Sequence, residues 1–306
     1  VSEPYVVVIG GANMDLHAQG TADLVPGSSN PGSSQLSPGG VGRNIAEVVA
    51  RLGSPCHLVS MVGDDPLGAE LIGHTAEAGV DVAHVRRRRG PTGTYAAILS
   101  PAGELVVAVA DMAATDLITP LVVEAAAGLI RGARVLVLDG NLLPATVAHA
   151  LDLARDAGVR VVLDPVSVPK AERLRPVLGR GIDLVTPNRA ELAALTGLST
   201  RTDAQVQQAI ERLQALGVPG VWVRLGDRGS VLDGPSGRWE LAAPEVEPID
   251  VTGAGDAMLG AFCHALLHGA DLAEAARYGH AAAALTVTSR STVRTDLSDE
   301  LIRGML

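Results

Sequence analysis

An acid that directly follows three small residues points to the chemistry of this chain. Val251-Thr252-Gly253-Ala254-Gly255-Asp256 runs into a stretch where Met258, Phe262, Ala265, Leu266 and Gly269 recur at helical spacing. A glycine-rich turn entering a helix aims several backbone N–H groups at one point, and the helix dipole adds positive potential there. Charge developing on a phosphate is stabilised at such a point. Asp256, beside it, is placed to take a proton from an attacking hydroxyl. An anion hole next to a carboxylate base is what phosphoryl transfer to an alcohol needs. The same residues also suit a tight turn in which Asp256 only caps the helix.

Further groups of polar residues sit where strands end. Asn13 and Asp15 alternate after a first apolar run, so in extended chain both point the same way and suit the hydroxyls of a sugar. Pro38-Gly39-Gly40-Val41-Gly42-Arg43-Asn44 lets a ligand approach the backbone closely and opens a helix at Asn44. Asp164-Pro165-Val166-Ser167 closes another strand, with Lys170 three residues on. Lys170 is the only lysine beside 23 arginines, and a compact ammonium is not equivalent to a guanidinium fork. Asn188 and Glu191 are three apart at a helix start. They read either as organisers of a hydrated magnesium or as a capping pair. Arg224-Leu225-Gly226-Asp227-Arg228-Gly229 repeats the glycine-turn theme, as a nucleotide contact or as a hairpin turn.

The elements that position these groups alternate in type. Apolar runs at Tyr5–Ile9, Leu58–Val62, Val135–Leu138, Val159–Leu163, Leu184–Thr186 and Val221–Leu225 read as buried strands with helical patterns between them. The pattern predicts one helix near Pro120–Ile130 and long helices over Ala254–His268 and Asp271–Thr288. Such alternation predicts an α/β chain with a mostly parallel central sheet, helices on both faces and ligands at the carboxyl ends of the strands. Residues 16–40, rich in Gly, Ser and Pro, together with a hairpin over 94–109, read as a lid. No repeat or linker divides the 306 residues, so a single domain over 1–306 is expected.

Composition excludes several classes. With 24 basic and 34 acidic residues the net charge is −10, a poor match to nucleic acid. The run Arg86–Arg89 reads as a solvated turn. No apolar run spans a bilayer, no leader is visible, and Cys56 and Cys263 lack disulfide or metal spacing, so a cytoplasmic protein is expected. Gly10-Gly11-Ala12 lacks the dinucleotide fingerprint, and there is no P-loop.

Taken together, these segments resemble the ribokinase-like carbohydrate kinases of the PfkB family. The resemblance rests on Gly39-Gly40 to Asn44, Val62-Gly63-Asp64-Asp65 and Asp250 to Asp256. Within that family Ser29-Asn30-Pro31-Gly32, Asp111-Met112, Asp164 to Lys170 and Pro187-Asn188-Arg189 are most similar to kinases of pseudouridine. The resemblance implies a three-layer fold with a small β lid. It also implies transfer of phosphate from ATP, with Mg2+, to the 5′-hydroxyl of a nucleoside. Asp256 would be the base, and Gly253, Ala254 and Gly255 the anion hole. Asn13, Asp15, Gly39, Gly40 and Asn44 would hold the ribose, with Ser29, Asn30, Met112, Asn141 and Lys170 near the base. Asn188 and Glu191 would organise magnesium. Arg224, Gly226, Gly229, Thr252, Gly255, His280 and Ala283 would border ATP. Asp250, Thr252 and Ser289 mark the place of a monovalent cation, K+ in some relatives. Pairing of lids implies a homodimer. Alternatives are a kinase for another nucleoside or sugar and a non-catalytic nucleoside sensor.

Overall fold

The computed structural model describes residues 3–306; Val1 and Ser2, part of the expected 1–306 span, lie outside the described residues. The chain opens with β1 (Val6–Ile9), β2 (Asn13–Gly20) and β3 (Gly32–Gly39), then α1 (Val41–Arg51), β4 (Cys56–Gly63), α2 (Pro66–Glu77) and β5 (Val85–Arg88). β6 (Thr94–Leu99) and β7 (Leu105–Asp111) form a hairpin, and α3 (Pro120–Glu124) and α4 (Ala127–Gly132) lead to β8 (Val135–Asp139). Next come α5 (Pro144–Ala157), β9 (Arg160–Asp164), α6 (Val168–Leu174), β10 (Leu184–Val185), α7 (Arg189–Thr196), α8 (Asp203–Ala215) and β11 (Gly220–Arg224). The chain closes with β12 (Ser230–Gly234), β13 (Gly237–Leu241), α9 (Ala254–Leu267), α10 (Leu272–Val287) and α11 (Asp299–Arg303).

Nine strands form the main sheet in the order β13-β12-β11-β10-β9-β8-β1-β4-β5. From β11 to β5 every pairing is parallel, and β12 and β13 add an antiparallel edge. Alternate side chains of each strand enter different layers, as the pleat requires. Val6 and Val8 belong to the buried layer that also holds Ile45 of α1, Phe262 of α9 and Ala281 of α10. Val7 and Ile9 belong to the opposite layer, with Ile130 of α4, Leu151 of α5 and Leu213 of α8. Burial on both faces explains why these strands read as unbroken apolar runs. The result is the expected α/β fold, a mostly parallel sheet with helices on both sides.

A second, four-stranded sheet has the order β3-β2-β6-β7. The segments 16–40 and 94–109 therefore contribute strands to one sheet, with β2 parallel to β6 and antiparallel to β3. On β7, Leu105, Val107 and Val109 are all more than half exposed.

Two expectations are corrected. Arg86–Arg89 is not a turn: Val85–Arg88 is edge strand β5, parallel to β4. Its arginines give it the charged edge that discourages pairing with another chain. The single helix near Pro120–Ile130 is two short helices, broken at Ala126, where φ is −105° and ψ 11°. Alanine carries no breaking signal, so tertiary packing decides that break.

Candidate active site

Strand order brings the polar strand ends to one edge of the main sheet. Asp139 ends β8 and Asp164 ends β9, paired in register, while Gly10-Gly11 follows β1 and Arg224 ends β11. Asp139 is wholly buried and accepts from the backbone N–H of Gly11 at 2.8 Å, Gly42 at 3.0 Å and Asn141 at 3.0 Å, and from Asn141 Nδ2 at 2.9 Å. One carboxylate thus ties the loop after β1 to the start of α1. Burial raises its pKa, against the donors and Lys170, which lower it.

Gly253 precedes α9 at φ +77°, a left-handed conformation that favours glycine. A Cβ there would lie 1.9 Å from the Thr292 carbonyl oxygen, so the following loop packs directly on the turn. The backbone N–H groups of Gly255 and Asp256 find no acceptor among the described residues. Asp256 sits in the first turn of α9 and does not cap it. Its Oδ2 instead accepts from Asn44 Nδ2 of α1 at 2.7 Å. The carboxylate stays partly open to the cavity. Burial raises its pKa to about 7; Asp164 and Asp139 push the same way, against the Asn44 hydrogen bond and Arg224. A base titrating near neutrality is well matched to proton abstraction.

On one side of Asp256 lies the small sheet. Asn13 Nδ2 donates to Asp15 Oδ1 at 2.6 Å, and burial raises the Asp15 pKa. Asp15 lies over Gly39, where a Cβ would meet its Oδ2 at 2.2 Å. Gly40, at φ +98°, packs on the Gly11 carbonyl with no room for a side chain. Met112 Sδ and Asn13 Cβ both border Gly93. Lys170 Nζ donates to Asn141 Oδ1, and Asn141 Nδ2 donates to Asp139, so both ends of that amide are engaged within the protein. Burial lowers the Lys170 pKa. Ser29 and Asn30 are exposed in the turn between β2 and β3. Asn30 uses its side chain on Val25 and Ser28 of that turn.

On the other side is a cavity of about 830 Å³. Asn188, Arg224, Gly226, Gly229, Gly255, Asp256, His280 and Ala283 all line it. Arg224 is an ion-pair partner of Asp164 at 3.0 Å and Glu191 at 3.4 Å, and its Nη1 lies against Gly255. Asn188 and Glu191 form a reciprocal capping box on α7. Trp222 Nε1 donates to Ser230 Oγ at 2.8 Å, and Ser230 Oγ lies 2.6 Å from His280 Nε2. The arrangement that satisfies all three has the serine hydroxyl donating to a neutral imidazole protonated on Nδ1. Burial lowers the His280 pKa to about 4, which keeps it neutral. Val166 has φ +68°, rare for a β-branched residue, and also lines the cavity. Asp250 Oδ1 accepts from the Thr252 N–H at 2.8 Å, and Ser289 Oγ accepts from the Ser291 N–H at 3.1 Å.

A carboxylate beside free amides at the wall of a cavity is an arrangement suited to phosphoryl transfer, and residues 3–299 match the pfkB family carbohydrate kinases. The chain belongs to the PfkB family of carbohydrate kinases. PfkB members are phosphotransferases with a hydroxyl acceptor, and this chain is such an enzyme. It is 34% identical to the pseudouridine kinase of Escherichia coli over 96% of this chain and 94% of that one. Identity to a ribokinase of Arabidopsis thaliana is 30%, over 95% of this chain and 78% of that one. The structure of Arabidopsis ribokinase with ribose and ATP superposes with a TM-score of 0.89 at 26% identity, covering 99% of both chains.

The segments Gly39 to Asn44 and Gly253 to Asp256, which carry the resemblance in the sequence, are brought together through the Asn44–Asp256 hydrogen bond. Sequence reasoning left out Asp139, which holds the loops, and the buried Arg43 and Glu47 of α1. The signals were there: Asp139 ends a strand just before a glycine, and Arg43, Glu47 and Arg51 repeat at i, i+4.

Proposed function

We propose that this PfkB kinase phosphorylates the 5′-hydroxyl of pseudouridine with ATP, giving pseudouridine 5′-phosphate and ADP. The observation that carries the chemistry is the Asp256 carboxylate, held by Asn44 beside the free amides of Gly255 and Asp256. The acceptor oxygen forms its bond to the γ-phosphorus as the bond to the ADP oxygen breaks, and its proton passes to Asp256. ADP leaves with the electron pair of the broken bond. Amides aimed at the transferring group stabilise its charge, with Gly253 and Ala254 shaping the turn. Asn13, Asp15, Gly39, Gly40 and Asn44 hold the ribose. The small sheet is the lid that excludes water.

The cavity suits ATP. Its glycine turns at Gly226 and Gly229 admit phosphates closely, while Ala283 and His280 offer a mostly apolar wall to the base. Among the described residues no group of three or more acidic, His or Cys side chains gathers to hold a metal. Magnesium, which keeps several waters and phosphate ligands, fits that setting, with Asn188 and Glu191 acting on its shell. A monovalent cation belongs near Asp250, Thr252 and Ser289. Replacing K+ by choline in the assay tests it, with a loss of turnover expected.

Pseudouridine is favoured by the likeness to the Escherichia coli enzyme and by Lys170, which presents an ammonium beside Asn141. Ser29, Asn30 and Met112 complete the nucleoside side. A second reading, a kinase for another nucleoside or sugar, is favoured by the internal engagement of the Asn141 amide, which leaves fewer groups to read a base. ADP release with MgATP and a panel of pseudouridine, uridine, adenosine and ribose separates the two. Strong preference for pseudouridine is expected; preference for another acceptor overturns the substrate assignment and keeps the kinase.

A further inference from the structure

Asn44 presents a problem that its own side chain does not solve. The two ends of a carboxamide have nearly the same shape, and a half-turn exchanges them. With Nδ2 toward Asp256 the amide donates to the carboxylate; with Oδ1 there it would repel it. Only the first orientation steadies an ionised base.

Arg43 breaks this symmetry. Its side chain is almost wholly buried, with 3% of the residue exposed, and Nη1 donates to Asn44 Oδ1 at 3.2 Å. A guanidinium only donates, so it accepts no amide N–H and selects the oxygen. Glu47, one turn along α1 and also buried, forms a salt bridge with Arg43. Glu47 is held in turn by Arg51 Nε at 2.7 Å, and Arg51 Nη1 donates to the Thr295 carbonyl at 2.8 Å. The ladder therefore runs from the loop that covers Gly253 to the amide that touches Asp256.

We propose that Arg43, pinned by Glu47, is a positioning residue that locks the Asn44 amide with its N–H turned to the catalytic base. This rests on the reading of Asp256 as that base. Arg43 is buried and does not line the cavity; it acts through Asn44. The charged groups facing Asp256 are Asp164 of β9, Asp139 of β8 and Arg224 of β11, with Arg43 approaching from α1. Of these, Arg43 is the one whose hydrogen bond reaches the base through the Asn44 amide.

The test is the pH profile of kcat/KM, measured with the best acceptor of the panel on wild type, Asp256→Asn, Asn44→Ala and the double variant Arg43→Met/Glu47→Leu. Removing both members of the pair avoids leaving one buried charge alone. In wild type the acid limb falls near pH 7. In the double variant that limb moves up by about one unit, with turnover recovering to within about threefold of wild type on the alkaline plateau and KM for ATP unchanged. Asn44→Ala moves the limb the same way, and adding it to the double variant moves it no further. A limb that stays in place while turnover falls equally at every pH overturns the proposal, as does additivity of the two changes. Normal turnover by Asp256→Asn overturns the base assignment itself, and the proposal with it. If the apolar pair does not fold, Arg43→Gln/Glu47→Gln keeps polar head groups that can rotate, and the same displacement is expected.

Discussion

Asp256→Asn should lower activity and raise stability at the same time. An aspartate in an unfolded chain titrates near 3.8, whereas burial at the start of α9 raises Asp256 to about 7. The folded protein therefore holds a proton there that the unfolded chain has already released. Stability falls as pH rises from about 4 through about 7, and above that the full cost of an ionised, partly desolvated carboxylate is present. A displacement of about three units at about 1.36 kcal/mol each sets a ceiling near 4 kcal/mol. Water reaching the carboxylate through the cavity, and the cost of burying the replacement amide, reduce the expected gain to about 1–2 kcal/mol. That corresponds to a rise in Tm of about 2–4 °C at pH ~8, vanishing near pH ~4. Turnover should fall by about 10² to 10⁴, the usual contribution of a general base. Scanning calorimetry at both pH values, beside an ADP-release assay, reads the two effects. A variant less stable than wild type at pH ~8, or one whose gain is equal at both pH values, would refute the electrostatic account.

Three further outcomes follow from the packing. Asp139→Asn should cost about 2–4 kcal/mol in urea unfolding, because an amide NH2 would face some of the four N–H donors that the carboxylate now accepts. Gly39→Ala should raise KM for the acceptor at least ~10-fold and leave KM for ATP unchanged, since the new Cβ displaces Asp15 and not the nucleotide wall; a change confined to ATP would reverse the assignment of the two sides. If the small sheet pairs between two copies, as the resemblance implies, Val107→Asp with Val109→Asp should yield a monomer in sedimentation velocity, because both side chains lie on the exposed face of β7. An unchanged sedimentation coefficient would place the dimer contact elsewhere or exclude it.

Much of this protein is legible in one dimension because its signals are local. Buried parallel strands need unbroken apolar runs, so β1, β4, β8, β9 and β11 stand out from their residues alone. A turn that aims amides at a phosphate needs small residues in sequence, so Gly253-Ala254-Gly255 before Asp256 marks itself. The glycines ahead of Asn44 mark the opening of α1 in the same way, but its hydrogen bond to Asp256, 212 residues on, has no local signal.

What the sequence left open depends on partners far apart along the chain. Asn188 and Glu191 read as either magnesium organisers or a helix cap; the fold builds the cap and also sets Glu191 against Arg224. Arg224 read as a nucleotide contact or part of a hairpin turn, and the fold pairs it with Asp164, sixty residues before it. The arginine run 86–89 carries turn-like polarity, yet pairing with β4 makes Val85–Arg88 a strand. The pKa of Asp256 has no sequence signature at all. It arises from burial and from groups on α1, β8, β9 and β11, which meet only because parallel strands deliver their carboxyl ends to one edge. Sequence alone determined which residue types stand ready for phosphoryl transfer, since that follows from spacing within a turn; only the tertiary structure decided how each is charged, oriented and held, since that follows from contacts across the sheet.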